Sequence, residues 1–493
     1  MPSFRRSLLF SLCDRYAAIA VNLVVTTVLA RLLTPDEFGV FAVTAAMMAL
    51  AEALREFGVG TFLIQAPHLA PTRVRTAFTV GLLLSLAMAA AVVLLAPAVA
   101  AFYGDARLRT ALTLTSIGFA LVPFSVPSLG LLRREMRFGR VALINLAGSL
   151  AQLATALALG LAGQGYLALV LGTVAANTAV ALAAAMLGPG LWIFRPHLAG
   201  WREVLAFGGT ASATTLLNTL YAMLPQIALG RFAGLQAVGL FNRAVTLCQL
   251  QDRLLVSVMT PVLLPALSRH ARNRGDVKAV YLRGVDLGVT VQWPFLACVF
   301  LLADPLVRLL LGAQWLEAVA TVRILTLGYA FLFAAFLTFP TLVAVGRVRD
   351  TLAASLISLP PSLLAVGLAA RWGADATAAA ISACALLQMA VALRFIRAAI
   401  GFSLVELFRA MRAGAVATVC TAVPAASVLY LNGTLSEVGL APAAAAGVAA
   451  LAGWVMALLL LEHPLAGELQ QAIRSARRLL PAILSRPGAS LAD

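Results

Sequence analysis

Apolar residues run through this chain in fourteen long blocks, near 16–33, 38–64, 76–102, 108–130, 141–162, 166–188, 204–230, 238–267, 279–303, 318–345, 351–370, 374–393, 413–431 and 438–461. A helix crosses a bilayer in about 20 apolar residues, so each block predicts a transmembrane α-helix. The expected fold class is an all-α integral membrane protein of about 14 spans. The gaps between spans are short, and the longest, around 189–203 and 268–278, leave no room for a soluble catalytic domain.

The polar positions confirm the count by their alternation. Every second gap is basic. One set holds Arg5, Arg6, Arg15, Arg73, Arg75, Arg133, Arg134, Arg137, Arg140, Arg195 and Arg202. It continues through Arg269, Arg272, Arg274, Lys278, Arg283, Arg347, Arg349, Arg394, Arg397, Arg409, Arg412, Arg474, Arg477, Arg478 and Arg486, giving 26 of the 36 Lys and Arg. The opposite set has six: Arg31, Arg107, Arg109, Arg231, Arg308 and Arg371. The positive-inside rule places the first set, and both termini, in the cytoplasm. An even number of spans is what that orientation requires.

Composition agrees. Hydrophobic residues make up 62% and charged residues 11%, against about 25% charged in soluble domains. Mean hydropathy is +0.96. A net charge of +16 would suggest nucleic acid in a soluble protein. Here the basic residues are topology signals that also meet anionic headgroups, and no nucleic-acid partner is expected. No cleavable signal peptide is visible, because the first apolar run continues as a full span.

Cys13, Cys248, Cys298, Cys384 and Cys420 read as small apolar residues in or near spans. His68, His197, His270 and His463 are scattered over loops, so neither a metal nor a cofactor is expected. Asn432-Gly433-Thr434 matches a glycosylation sequon of low specificity. The tail after His463 sets Leu469, Ile473, Leu479 and Leu480 against Arg474, Arg477 and Arg478, an amphipathic pattern suited to the inner membrane surface.

The chain also repeats itself. Residues 30–43 (ARLLTPDEFGVFAV) align without gaps to 230–243 (GRFAGLQAVGLFNR), matching Arg31 with Arg231, Gly39 with Gly239 and Phe41 with Phe241. At the same offset Glu52 falls on Asp252. The offset covers six spans, so both copies enter the membrane from the same side, as in a parallel repeat. The expected organisation is an N-lobe at 1–200 (spans 1–6), a C-lobe at 201–400 (spans 7–12), spans 13 and 14 at 401–462, and a cytoplasmic basic tail at 463–493. Two such lobes are expected to enclose a central cavity.

A few charges lie inside spans. A charge at a helix centre costs roughly 2.5–3.5 kcal/mol on insertion scales, so each asks for a function. Span 2 carries Glu52, Arg55 and Glu56, at positions that share one helix face. Glu52 lies about 21 Å along a helix beginning near residue 38. Span 8 carries Asn242, Arg243, Gln249, Asp252 and Arg253, with Asn242, Gln249 and Arg253 on one stripe. Two readings stand. Either the stripes line a polar cavity, or the pairs Glu52–Arg55 and Asp252–Arg253 neutralise locally and hold helices together. Milder polar groups lie on spans 1 and 7: Asn22, Thr26, Thr27, Asn218, Tyr221 and Gln226. Pro225, Pro261, Pro265 and Pro294 predict kinks.

Several stretches resemble one known family. LARLLTPDEFGVFAV with FGVGTFLIQ at 57–65, LLRREMRFGRVALINL at 131–146, LLPALSRHARNRGDVKAVYLR at 263–283 and LVRLLLGAQWLEAVATVRILTLGYAF at 306–331 occur in order. Together they resemble the polysaccharide transporter (Wzx-type) branch of the multidrug/oligosaccharidyl-lipid/polysaccharide flippase superfamily. The resemblance implies two helical lobes in the bacterial inner membrane and export of an undecaprenyl-diphosphate-linked oligosaccharide by alternating access. It also implies a coupling ion, proton or sodium, and other polysaccharide assembly proteins as partners.

On that reading Arg55, Arg243, Arg253, Asn242 and Gln249 contact substrate, since cationic forks offset the desolvation of a pyrophosphate. Glu52, Glu56 and Asp252 are the available ion carriers. No Gly-rich phosphate loop is present, so energy comes from an ion gradient or from consumption of product. The alternatives are a cation-coupled drug antiporter of the same superfamily, expected to have a net-acidic cavity, and a membrane-embedded polysaccharide polymerase or ligase, expected to have a large outer loop.

Overall fold

The computed structural model describes residues 27–55, 70–250, 276–432 and 439–467, without the side chains of 203–214, 334–336 and 348. Every regular element among them is helical. After a short helical stretch at 27–32 come α1 (Pro35–Arg55), α2 (Pro71–Tyr103), α3 (Arg107–Leu121), α4 (Val126–Arg134), α5 (Phe138–Leu161), α6 (Tyr166–Leu187), α7 (Trp201–Phe232) and α8 (Gly234–Cys248). Then follow α9 (Val277–Leu301), α10 (Ala303–Leu310), α11 (Ala318–Tyr329), α12 (Phe333–Ala344), α13 (Val348–Ala369), α14 (Ala374–Ile400), α15 (Leu404–Leu431) and α16 (Leu440–Leu460). Ten helices among the described residues are long and apolar enough to cross a membrane. The protein is therefore an all-α membrane protein. Most of the first span, the end of the second and the far half of the eighth lie outside the described residues.

Two spans are less simple than their hydropathy suggests. The block at 318–345 reads as one helix but is broken at 330–332 between α11 and α12. The break frees carbonyls that side chains of α9 take up. Gln292 Nε2 donates to Tyr329 O at 3.0 Å and Trp293 Nε1 to Ala330 O at 2.8 Å. In hydrocarbon a freed carbonyl needs such a partner, so the break and its two donors belong together. The block at 108–130 passes through a 3₁₀ turn at Val122–Phe124 before α4. Pro123 and Pro127 lack the N–H that would continue the α-helical ladder.

The chain forms two compact units. The first takes its described residues from Met1–Leu247, Val307–Leu325 and Leu352–Gln388. The second takes them from Cys248–Leu306, Thr326–Thr351 and Met389–Asp493. Without a hydrophobic driving force inside the bilayer, helices associate through small residues and close packing. In the second unit Gly414 of α15 faces the Val289 backbone of α9, and Gly453 of α16 faces the Cys420 carbonyl of α15; a Cβ at either position would overlap its neighbour. In the first, Gly148 of α5 accommodates Val180 of α6 in the same way.

Candidate functional site

The site in the first unit is built from the start of α1. Thr34 and Glu37 form a reciprocal cap: Thr34 N–H donates to Glu37 Oε2 at 2.8 Å, and Glu37 N–H to Thr34 Oγ1 at 3.3 Å. Pro35 opens the helix, where its missing N–H costs nothing. This fixed helix start crosses the start of α8 at backbone contact. A Cβ on Gly39 would overlap the Leu235 carbonyl, and one on Gly239 the Pro35 carbonyl. The two glycines are the repeat-related pair of the sequence.

Other groups complete this clasp. The Phe38 ring meets the buried Trp315 edge to face, with centroids 5.2 Å apart. Trp315 Nε1 donates to Ala30 O at 2.8 Å, and Arg31 Nη2 to Leu309 O at 2.6 Å. Gln314 Nε2 donates to Leu33 O at 2.9 Å. Asp36 accepts from Arg107 at 2.7 Å. Arg107 also holds Asp105, whose carboxyl sits below the usual carboxylate range chiefly because of that hydrogen bond.

Arg243 and Asn242 lie beside the clasp. Arg243 Nη2 donates to Asn242 Oδ1 at 2.8 Å, and its guanidinium sits 4.5 Å from the Phe38 ring centroid. Farther along α1, Arg55 pairs with Glu52 at 3.1 Å. The Arg55 side chain is only 7% exposed whereas that of Glu52 is 54% exposed. The guanidinium covers the Phe119 ring at 5.4 Å. Its Nε is buried with no hydrogen-bond partner among the described residues. Because α1 begins at Pro35, Glu52 lies about 26 Å along the helix axis, deeper than a start at residue 38 implies. The Glu52–Arg55 pairing is the local neutralisation that the second sequence reading describes, yet it leaves Nε of a buried cation without a partner among the described residues.

Beside this pair, α1, α3 and α6 enclose a pocket of about 340 Å³ that Phe41, Thr44, Glu52, Thr115, Thr173 and Asn177 help to line. Sequence reasoning did not single out Thr44, Thr115, Thr173 or Asn177. A signal existed: Phe41, Thr44, Met48 and Glu52 lie at i, i+3, i+7 and i+11, one face of α1. Asn177 is likewise an isolated amide in a very apolar span.

Gln249 belongs to the second unit, where its Nε2 donates to Tyr329 OH at 3.0 Å. α8 ends one residue before it, at Cys248. Asp252, Arg253 and Glu56 lie outside the described residues. A further buried polar contact was not foreseen. His463, read as a loop residue, is 5% exposed and its Nε2 meets Asp286 Oδ2 at 3.2 Å. Glu462 adopts a left-handed φ of 47° to turn the chain there. Among the described residues no cluster of His, Cys, Asp or Glu could hold a metal ion.

Comparison with known proteins places this architecture. Similar proteins include the lipopolysaccharide biosynthesis protein WzxC of Escherichia coli, 22% identical over 311 residues. That match covers 62% of this chain and 63% of the relative's own length. The teichuronic acid biosynthesis protein TuaB of Bacillus subtilis is 20% identical, over 62% of this chain and 64% of its own. The succinoglycan biosynthesis transport protein ExoT of Rhizobium meliloti is 22% identical, over 69% of each chain. Among solved structures, the lipid II flippase MurJ in an inward closed conformation superposes with a TM-score of 0.72 at 12% identity, covering 92% of this chain and all 100% of that one. An inward-facing multidrug resistance MATE family transporter of the MOP superfamily gives 0.63 at 14% identity, covering 78% of this chain and 94% of its own. The fold is therefore that of the MOP transporters. Residues 28–320, which contain the clasp, the Glu52–Arg55 pair and the pocket, match the family described as polysaccharide biosynthesis protein, and the chain belongs to that family.

Proposed function

We propose that this protein is a flippase. It carries an undecaprenyl-diphosphate-linked oligosaccharide from the cytoplasmic to the outer leaflet of the bacterial inner membrane, for exopolysaccharide, capsule or O-antigen assembly. The observation that carries the reading is Arg55. It is a cation nine-tenths buried in a membrane-spanning helix, with one donor that has no partner among the described residues, beside a polar pocket, in a chain of the polysaccharide biosynthesis family. Hydrocarbon disfavours such a group unless it serves a substrate or ion path. Relatives named for lipopolysaccharide biosynthesis and succinoglycan transport support the substrate class.

Arg55, Arg243 and Arg253, with Asn242 and Gln249, receive the pyrophosphate and its nearest sugar. Glu52, Glu56 and Asp252 carry a coupling proton or sodium ion. Lobes 1–200 and 201–400 rock about the substrate, and both termini are cytoplasmic, as the 26-to-6 asymmetry of basic residues favours. On that orientation the Gly39–Gly239 clasp lies at the outer end and closes the path when the protein faces inward. No group-transfer chemistry is assigned to any residue.

A strain lacking the gene, and holding no other member of the family, tests the reading. It is expected to accumulate the polyprenyl-linked repeat unit and to lose its surface polymer. Normal polymer output from that strain would contradict the assignment.

A further inference from the structure

The hydrogen-bonding groups that line the pocket between α1, α3 and α6 are mostly acceptors. Thr44 Oγ1 lies 2.8 Å from Val40 O, Thr115 Oγ1 2.7 Å from Ala111 O, Thr173 Oγ1 3.0 Å from Leu169 O, and Ser125 Oγ 2.8 Å from Val122 O. A carbonyl can only accept. Each hydroxyl therefore donates its single hydrogen to its own backbone, and each keeps only lone pairs for a ligand. Glu52 adds a carboxylate, which is acceptor-only when ionised. Asn177 alone among these six lining residues keeps N–H donors, together with a carbonyl. Gly118 seats this amide: it lets α3 press against α6 until Asn177 Nδ2 would stand 3.3 Å from a Cβ at that position. The lining is thus rich in acceptors and poor in donors.

Such a surface repels phosphate, whose oxygens also accept. It matches a group that presents many donors. A pocket of about 340 Å³ is far larger than the cage of a bare ion. It falls within the range of about 300–1,000 Å³ usual for small organic ligands. The Phe41 ring supplies an apolar wall of the kind that packs on the C–H face of a pyranose. We infer that this pocket is a subsite for the hydroxyl-rich sugar end of the substrate and excludes its pyrophosphate. The inference rests on the flippase reading for the identity of that substrate. It divides the labour within the first unit: the guanidinium groups of Arg55 and Arg243 meet the anion, and this pocket meets neutral sugar hydroxyls.

The test reads binding without transport. Full-length protein in lipid nanodiscs is photolabelled with a diazirine-bearing methyl glucoside, and the labelled peptides are mapped by mass spectrometry. Label is expected on the segments holding Thr44–Glu52 and Thr173–Asn177, displaced by unlabelled methyl glucoside. Sodium pyrophosphate, and exchange of sodium for choline, are expected to leave it in place. Thr115→Val combined with Asn177→Leu is expected to cut labelling about tenfold, as for two lost hydrogen bonds. Thr115→Val alone preserves side-chain shape and is expected to cut it about threefold with an unchanged elution profile, which keeps the test valid if the double variant does not fold. Displacement by pyrophosphate, dependence on sodium, or label confined to other segments would each overturn the proposal. Any of these failures leaves the flippase reading intact so long as the deletion strain loses its polymer.

Discussion

Two hollows in this molecule differ sharply in what they offer a ligand. The pocket of the first unit sets Glu52, Asn177 and hydroxyl oxygens around about 340 Å³. A groove of about 520 Å³ in the second unit is walled by Trp293, Leu296, Phe300, Leu327, Phe331 and Ala422, with hardly a polar atom. Both lie among helices that hydropathy assigns to the membrane. Thr418, at the groove, donates to Gly414 O at 2.7 Å and so hides its hydroxyl as Thr115 does. What separates the two is the part that back-bonding cannot hide, namely a carboxylate and an amide. A groove of hydrocarbon is at ease against lipid alkyl chains, whereas a carboxylate in a span costs free energy and so points to use.

The comparison breaks most readily at Arg55. Arg55→Ala removes a charged hydrogen-bond donor worth roughly 1.5–3 kcal/mol to an anionic substrate. Export, measured as surface polymer per unit of inserted protein, is expected to fall about 10- to 150-fold. Arg55→Lys is expected to restore part of it, because charge returns without the planar fork. Phe331→Leu in the groove keeps apolar volume and is expected to change export less than about threefold. Equal losses from both changes would erase the distinction between the charged end of α1 beside the pocket and the apolar groove.

The clasp comes next. Gly39→Ala drives a methyl group into the Leu235 carbonyl and should cost the closed clasp about 1–3 kcal/mol. Cysteine accessibility from the outer face is expected to rise for residues beneath it, and Gly239→Ala should act alike. No change from either would remove the crossing as a closure.

A finer contrast pairs Thr115→Val with Thr418→Val. Each loses the same back-bond, so each should shift thermal stability by a similar small amount, about 0.5–1.5 kcal/mol. Only Thr115→Val is expected to lower export. The smallest effect concerns Asp105, in the loop between α2 and α3. The hydrogen bond from Arg107 holds the folded-state pKa of Asp105 below its unfolded one. The stability it confers is therefore complete above the ordinary carboxylate value of about 4 and is lost only as pH falls below that, through the depressed folded value. Thermal melts of the protein and of Asp105→Asn should differ at neutral pH and converge in acid.

Much of the fold was legible because hydropathy and charge are read one residue at a time. α5 at Phe138–Leu161 and α6 at Tyr166–Leu187 fall within a few residues of the blocks at 141–162 and 166–188. The break at 330–332 was not legible, since its stabilising donors, Gln292 and Trp293, come from a helix nearly forty residues earlier. The Glu52–Arg55 pair was visible as an i, i+3 spacing on one helix. The burial of His463 was not, because Asp286 stands far away in sequence and the turn at Glu462 uses a residue without the usual glycine signal. The pocket was half legible: the stripe on α1 could be read from spacing, but its closure by Thr115, Thr173 and Asn177 depends on how three helices meet.

The most direct measurement is reconstitution. Purified protein in sealed proteoliposomes is given a polyprenyl-diphosphate-linked oligosaccharide bearing a fluorophore on the sugar, loaded in the outer leaflet, and an impermeant reductant then quenches what remains outside. The protein is expected to move label into protection against the reductant, with Arg55→Ala much slower at equal incorporation. Protection no faster than in protein-free liposomes, at any ion gradient, would contradict flipping as the function of this fold.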